Sequence, residues 1–258
     1  MWRGPVIERQ KSIANALKWK VFSIHAKLIS LAAQKWWDPS ENPSLYDAIE
    51  KAKKDNVPAD NIARAIKKWT GEDKDSVQIN EIYYEWYAPG WVWVIAKSLT
   101  DNKNRTSSNI RHIFSKYWWS LWETWSVSNF AFKFVWIIYL NLNWKKLEDI
   151  EETLMESWAD DYTQEDENEV RVISQKQDLA SVVKYLKEAS MDISEYSLGY
   201  VPNTLSEVTD FDKALKIIKL VEDLEGDEDI EKVWHNYNIS DELQNQVLDA
   251  LEKARFRT

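Results

Sequence analysis

Tryptophan occupies positions in this chain where the backbone of a folded protein usually needs glycine. The 258 residues include 16 tryptophans but only 5 glycines, whereas an average glycine usage of about 7% would give roughly 18. Trp36 and Trp37 end a helical pattern and precede Asp38 and Pro39, where a glycine commonly terminates a helix. The bulky side chain of tryptophan makes a backbone with positive φ unfavourable, whereas glycine, which has no side chain, adopts positive φ readily.

Further tryptophans stand at predicted helix ends, in a turn and in a loop: Trp69, Trp86, Trp118, Trp119, Trp122, Trp125 and Trp158. Our hypothesis is that most of the tryptophans are glycine in the cell, because some bacterial lineages read UGA as glycine and an alternative code table reads it as tryptophan. Reading 15 of the 16 in this way raises the glycine count from 5 to 20. Trp234 is kept as tryptophan because it lies in an apolar strand pattern.

The alternative is that the tryptophans form an aromatic platform on which nucleic-acid bases stack. Such platforms lie on strands rather than at helix ends, so the glycine hypothesis is favoured. If the tryptophans are read literally, we expect them to lie exposed on loops with poor packing.

The composition limits both the chemistry and the compartment of the protein. The length suits two or three domains. The absence of cysteine excludes a disulfide framework, a thiolate metal site and a cysteine nucleophile, and it fits a reducing cytoplasm. The N-terminus has no continuous apolar run of the signal-peptide kind. The most apolar segment, residues 130–142, is too short to cross a bilayer as a helix. We therefore expect a cytoplasmic protein without membrane contact.

Charge is distributed unevenly along the chain. Residues 1–75 carry 14 Lys/Arg against 10 Asp/Glu, whereas residues 136–258 carry 13 against 29. The basic N-terminal part and the acidic C-terminal part suggest that one face of the protein binds a polyanion and another face repels it. Ordinary solvation of the surface accounts for the charge counts equally well.

Helical patterns fill the first part of the chain. Apolar spacing predicts two helices within residues 5–36, separated at Trp19, and Pro43 and Pro58 each stand at the first position of a further helix. Residues 1–75 are therefore predicted to form a basic helical bundle.

Strands and helices alternate through the rest of the chain. Strand patterns cover residues 79–84, 92–99, 127–132, 135–142, 169–174, 196–201 and 230–235. Helical patterns cover residues 107–117, 145–157, 178–186, 211–224 and 241–254. The order predicts an α+β fold in which two ferredoxin-like α+β domains follow the bundle, one inserted in the other. Their predicted boundaries are residues 76–134 plus 203–240 for the discontinuous domain, 135–202 for the inserted domain and 241–258 for a C-terminal helix.

No catalytic or metal-binding constellation emerges from the sequence. His25, His112 and His235 have no partner at metal-ligand spacing. With glycine in place of tryptophan, residues 118–125 resemble a phosphate-binding loop, but they follow a helix and precede a strand, the reverse of a dinucleotide motif. The acidic run 165–169 is best explained as a solvated loop. We expect a non-enzymatic protein without a metal or cofactor.

The turn from Asp101 to Thr106 is the most specific polar element. Asp101 and Asn102 are residue types that brace such a turn internally, and Asn104 or Thr106 can cap the helix after it. Arg105 stands near a helix N-terminus, where phosphate is also favoured. A purely structural, self-bonded turn is an equally good interpretation.

Several short motifs, in order, resemble the YebC family. They are AIEKAK (48–53), YEWYAPG (84–90), LTDNKNRT (99–106), IRHIFSKY (110–117) and VWHN (233–236). Several tryptophans coincide with places where that family has glycine, which supports the glycine hypothesis. The resemblance implies three domains, with the α+β pair arranged around a cleft, and a cytoplasmic, non-enzymatic regulator that acts on nucleic acid.

The expected function is therefore a regulatory protein that binds DNA through its basic helical domain. The predicted contacts are Lys11, Lys18, Lys20, Lys27, Lys67, Lys68, Arg105 and Arg111. Because phosphate contacts dominate, we expect low base specificity and a monomer. The alternative is a ribosome-associated translation factor that binds rRNA, since the family includes a mitochondrial translational activator. A third possibility, an enzyme that uses the interdomain cleft, lacks catalytic residues.

Overall fold

The structure is a computed structural model that describes residues 4–68, 78–88, 92–117 and 128–255. In chain order the elements of these ranges are α1 (Gly4–Ala33), α2 (Pro43–Lys54), α3 (Ala59–Lys67), β1 (Asn80–Ala88), β2 (Val92–Thr100), α4 (Lys103–Lys116), α5 (Ser128–Ala131), β3 (Phe132–Asn141), α6 (Leu147–Glu156), β4 (Asp161–Gln164), β5 (Glu169–Ser174), α7 (Leu179–Glu188), β6 (Asp192–Pro202), β7 (Ser206–Glu207), α8 (Phe211–Gly226), β8 (Ile230–His235), β9 (Tyr237–Asn238) and α9 (Asp241–Arg255). The chain is thus a helical bundle followed by α+β structure, which confirms the predicted fold class.

The helical bundle packs α2 and α3 against the C-terminal half of α1. Asn42 fixes the start of α2, because its side chain accepts a hydrogen bond from the Leu45 amide at 3.1 Å and donates to the Ala32 carbonyl at 2.9 Å. The side chains that form its core are Phe22, Ile29, Ala33, Leu45, Ile49, Ala52, Val57, Ile62 and Ala65.

The predicted break at Trp19 is wrong, since α1 continues through it. Trp19 lies exposed on the helix surface and does not have positive φ, so no glycine is needed to end a helix there. Pro43 opens α2 as predicted, whereas Pro58 is the residue before the first turn of α3 rather than within it.

The first sheet has the order β1-β2-β8, with both pairs antiparallel. Strand β8 follows β2 by some 130 residues, so the sheet is closed by the far end of the chain. Helices α4, α8 and α9 pack on one face through Ile110, Phe114, Ile217, Leu220 and Val247. A short parallel pair, β7 and β9, runs beside it.

The second sheet has the order β4-β5-β3-β6, and every neighbouring pair is antiparallel. The chain runs β3-α6-β4-β5-α7-β6, which is the connection of a ferredoxin-like unit. Ile138 and Leu140 of β3 pack with Val172, Leu154 and Leu186 to form its core. The described part of the chain therefore holds one complete ferredoxin-like sheet between β2 and β8.

Three local predictions are corrected. A strand over 127–132 is wrong for the described residues, because Ser128–Ala131 form a helical turn and β3 begins at Phe132. Strand β4 was missed because its sequence, DYTQ, has no apolar alternation. Helix α4 begins at Lys103 rather than at 107, because Asn102, and not the predicted Asn104 or Thr106, caps it.

Aromatic side chains join the two sheets. Tyr200 of β6 lies 5.2 Å from Trp234 of β8 and 6.0 Å from Tyr83 of β1, both ring-centroid distances with edge-to-face geometry. Gly199, beside Tyr200, permits this approach. A β-carbon at Gly199 would lie 2.7 Å from Ile137 Cδ1 and 3.0 Å from Trp234 Nε1.

We expect Gly199→Ala to lower the free energy of unfolding by about 1–2 kcal/mol, because the added methyl must displace Ile137 or Trp234. Gly226→Ala is the matched control, since a β-carbon there meets no atom within 4 Å. Urea unfolding followed by tryptophan fluorescence measures both variants. Equal stability of the two variants would contradict close packing at Gly199.

The tryptophans do not behave as one group. Trp36, Trp37, Trp144 and Trp158 lie exposed on loops, as expected. Trp86 contradicts the expectation, because it is buried on β1 and stacks on Phe114 with ring centroids 4.0 Å apart. Trp19 is exposed but helical. The predictions for Trp69, Trp118, Trp119, Trp122 and Trp125 concern residues outside the described ranges.

Candidate nucleic-acid interface

The turn after β2 positions the first residues of α4. Asn102 Oδ1 accepts hydrogen bonds from the backbone amides of Asn104 at 3.2 Å and Arg105 at 3.1 Å. Thr106 is buried, and its Oγ1 lies 2.7 Å from Thr100 Oγ1. These contacts support the structural interpretation of the turn, while the side chains of Asp101 and Asn104 remain exposed.

Asp229, just before β8, is the centre of this region. Its side chain is fully buried and is contacted by Lys27 Nζ at 2.7 Å, Thr106 Oγ1 at 2.8 Å and Arg105 Nη2 at 3.0 Å. Arg105 Nη2 also reaches Asp101 Oδ1 at 2.9 Å. We call Asp229, Lys27, Arg105, Thr106 and Thr100 the Asp229 cluster. It ties the helical bundle to α4 and β8.

The cluster controls the protonation of its carboxylate. Burial by itself would raise the pKa of Asp229, but the hydrogen bonds from Lys27, Thr106 and Arg105 outweigh it and lower this pKa below its ordinary value. The carboxylate therefore stays ionised as the counter-ion of two cations.

Two predicted phosphate contacts, Lys20 and Lys27, contact the end of α8 and the loop that follows it, respectively. The Lys20 ammonium donates to the Glu225 carbonyl, and Lys27 donates to the Glu228 carbonyl at 2.7 Å. Cations are favoured at the C-terminus of a helix because its last carbonyls carry partial negative charge. Burial lowers the pKa of Lys20 despite the nearby acids. Within the described chain, these two lysines thus join the bundle to the end of α8 and to the loop before β8.

The remaining predicted residues lie at the surface. Lys18 is exposed, with Nζ 5.5 Å from the Phe22 ring centroid. Lys67 and Lys68 are exposed at the end of α3, and Arg111 is exposed on α4. Lys11 lies in α1, in the stretch whose side chains are outside the description.

A cleft of about 500 Å³ separates the bundle from the turn at 101–105. The charged residues that line it are Lys27, Arg64, Lys68, Asp101, Arg105 and Glu228. Three of the predicted contacts thus lie together at this cleft: Lys27 and Lys68 from the bundle and Arg105 from α4. Arg64 and Asp229 were missed by the sequence interpretation. The only sequence signal for Asp229 is the acidic run 225–229 directly before an apolar strand.

Other titratable groups in the described residues form no reactive set. His25 Nε2 lies 2.6 Å from Asp55 Oδ2, within the bundle. His235 stacks on Tyr237 at 3.7 Å between ring centroids, and burial lowers the pKa of His235 to about 4. Across the ranges that the structure describes, no group of three or more His, Asp or Glu side chains could hold a metal ion. No helix in those ranges has the length and apolar character needed to cross a membrane.

The fold defines a multidomain α+β protein whose N-terminal unit is a helical bundle. Family models described as the TACO1/YebC protein N-terminal domain and the TACO1/YebC second and third domain match residues 4–72 and 79–237. The chain therefore belongs to the TACO1/YebC family, which confirms the resemblance seen in its motifs.

Relatives of known name and structure agree with this assignment. Proteins named "probable transcriptional regulatory protein" from Sulfurihydrogenibium sp. and Syntrophomonas wolfei are 36% and 39% identical over 242 and 241 residues. The matches cover 93% and 92% of this chain and 96% and 95% of those proteins. A crystal structure of a conserved hypothetical protein from Aquifex aeolicus superposes with a TM-score of 0.76 at 34% identity, covering 86% of this chain and 90% of that one.

Proposed function

We propose that this protein is a regulatory protein that binds the phosphate backbone of DNA through its basic helical bundle. The observation that carries the proposal is the convergence of Arg64 and Lys68 from the bundle and Arg105 from α4 on one cleft. Lysine and arginine attract phosphate irrespective of base sequence, so this surface supports affinity more than sequence recognition. The acidic C-terminal half, with 29 acidic against 13 basic residues over 136–258, would turn away from the polyanion.

The names of the relatives support a regulatory role. They are called probable transcriptional regulatory proteins, and the matches run along nearly the whole of both chains. We extend that role to this chain as part of the proposal. The protein would act in the cytoplasm as a monomer without cofactor chemistry.

A ribosome-associated translation factor is the second candidate. It is favoured by the family description, which names TACO1 beside YebC, and rRNA presents the same phosphate chemistry as DNA. Sedimentation with ribosomes that is lost at high salt, with no retardation of promoter DNA, would select this candidate. A retarded DNA complex without ribosome association would select the DNA-binding function.

We expect the double variant Lys67→Glu/Lys68→Glu to bind nucleic acid about tenfold more weakly or worse at low salt, because each reversal replaces attraction to phosphate by repulsion. Fluorescence anisotropy across a salt series measures the affinity and its slope. Lys213→Glu/Lys216→Glu, on the exposed surface of α8, makes the same change in net charge and serves as control. Unchanged binding by the α3 variant would remove this end of the bundle from the interface.

A further inference from the structure

The cleft between the bundle and the turn at 101–105 has the size of a ligand pocket. Its volume of about 500 Å³ lies within the range of roughly 300–1,000 Å³ that small-molecule sites occupy. Such sites form preferentially where domains meet, with an apolar lining and a few polar groups that orient the ligand. This cleft lies at such a boundary, since α1 and α3 form one wall and α4 contributes to the other.

Apolar side chains line one part of the cleft, which we call its floor, while Ser23, Ser30 and Asn61 also line the cleft. The floor consists of Phe22 and Ala26 of α1, Ala65 of α3 and Ile79. Phe22 and Ala65 also belong to the core of the bundle, so the floor is fixed by packing. Phe22 and Ala65 are only 8% and 4% exposed, so the accessible part of this floor belongs mainly to the half-buried Ala26 and Ile79. A nucleic-acid base can bury one apolar face against these side chains.

The rim of the cleft supplies cations with donors to spare. Arg64 bonds through Nε to the Asp60 carbonyl and through Nη2 to Asn61, which leaves Nη1 without a hydrogen bond within the described chain. Lys68 has no ion pair there, and Arg105 makes its bonds through Nη2. Guanidinium and ammonium groups form strong, charge-assisted hydrogen bonds with phosphate oxygens.

We propose that this cleft binds a single phosphorylated nucleoside unit, with its base on the apolar floor and its phosphate at Arg64 and Lys68. The proposal rests on the proposed function, which it deepens by naming the unit of nucleic acid that is recognised. A base paired in a duplex must leave its stack to reach the floor. Single strands should therefore bind more tightly than duplexes of the same sequence. None of the tryptophans is needed, although Trp19 lies at the cleft.

The test fills the cleft without changing its charge. Ser23 lines the cleft and is half-buried, whereas Ser44 is exposed at the start of α2. We expect Ser23→Trp to weaken binding of a short fluorescein-labelled single strand about tenfold or more, the scale of losing one stacked base. Ser44→Trp should bind like the parent protein. Arg64→Glu, on the exposed rim, tests the phosphate contact should Ser23→Trp prove misfolded by circular dichroism.

Competition with a free nucleoside monophosphate tests whether the cleft binds a nucleotide that is part of a strand or a free nucleotide. Displacement of the labelled strand by the free nucleotide, lost in Ser23→Trp, supports the cleft. Direct binding of the free nucleotide by a parent protein that binds neither strand nor duplex would also support the cleft. In that case the proposed nucleic-acid-binding function would be wrong, although the cleft would still bind a nucleotide. Undiminished strand binding by both Ser23→Trp and Arg64→Glu, with binding lost in the Lys67/Lys68 variant, would overturn the cleft and leave the proposed function intact. Failure of the parent protein to bind a strand, a duplex, ribosomes and free nucleotide would overturn both.

Discussion

Replacing Asp229 with alanine is expected to lower the free energy of unfolding by about 3 kcal/mol, the lower end of the cost of removing one partner from a buried ion pair. Lys27, whose side chain is only 15% exposed, would lose its carboxylate partner. Arg105 is 40% exposed, so water screens its attraction to Asp229 and losing that ion pair contributes less to the destabilisation. Chemical denaturation followed by circular dichroism measures the change.

Asp101→Ala is the matched control, because Asp101 touches the same Arg105 nitrogen from the solvent side. Exposed ion pairs of this kind contribute about 1 kcal/mol or less. A loss in Asp229→Ala no larger than that in Asp101→Ala would show that the Asp229 cluster does not hold the bundle to the sheet.

The same cluster predicts a direction for the response to acid. Because the folded pKa of Asp229 is depressed, its stabilisation is complete above the unfolded carboxyl pKa of about 3.9 and is lost as pH falls through the lower folded value. The parent protein should therefore lose stability on acidification below about pH 4 more steeply than Asp229→Ala.

Local signals explain which parts of the fold could be predicted. Pro43 and the apolar spacing of α8 act within a few residues of themselves, and the helices they indicate are present. Strand β4 could not be predicted, because its polar residues form an edge strand only through pairing with β5. The break predicted at Trp19 followed from reading that residue as glycine, whereas α1 continues through it.

The site could be predicted only in part, because sequence reveals charge but not partners. Lys27 and Lys68 are indistinguishable as lysines in a basic segment. In the fold, Lys27 meets Asp229, which lies 202 residues away, while Lys68 stays exposed at the cleft. No local sequence pattern connects residues so far apart. The structure was therefore needed to tell which lysines hold the bundle to the rest of the chain and which remain accessible to a ligand.

Trp144 and Trp158 have backbone conformations that favour glycine. Trp158 follows the C-cap Ser157 of α6 with φ 65°, where a left-handed residue, usually glycine, ends many helices. Asn143 and Trp144 have φ 46° and 74°, and the Lys145 amide donates to the Leu142 carbonyl at 3.0 Å. A turn with positive φ at both central residues is the type I′ turn, for which Asn-Gly is a preferred sequence.

The double variant Trp144→Gly/Trp158→Gly is therefore expected to gain about 1.5 kcal/mol in the free energy of unfolding. A side chain at positive φ costs about 1–2 kcal/mol, from which the backbone entropy of glycine subtracts about 0.5–1 kcal/mol per site. Little packing is lost, because the two side chains are 97% and 80% exposed.

Trp36→Gly is the control for this double variant, since Trp36 is exposed but does not have positive φ, and it should give no gain in urea unfolding. A loss of stability in the double variant would contradict the conformational argument. Peptide masses of the protein from its natural host then test the code directly. Glycine at 144 and 158 would support the UGA hypothesis, whereas tryptophan at both, from UGG codons, would refute it there. Trp86 packs against Phe114 in the core, so the number of tryptophans alone does not test the glycine hypothesis. Trp144 and Trp158 test it best, because their positive φ favours glycine whatever the codon.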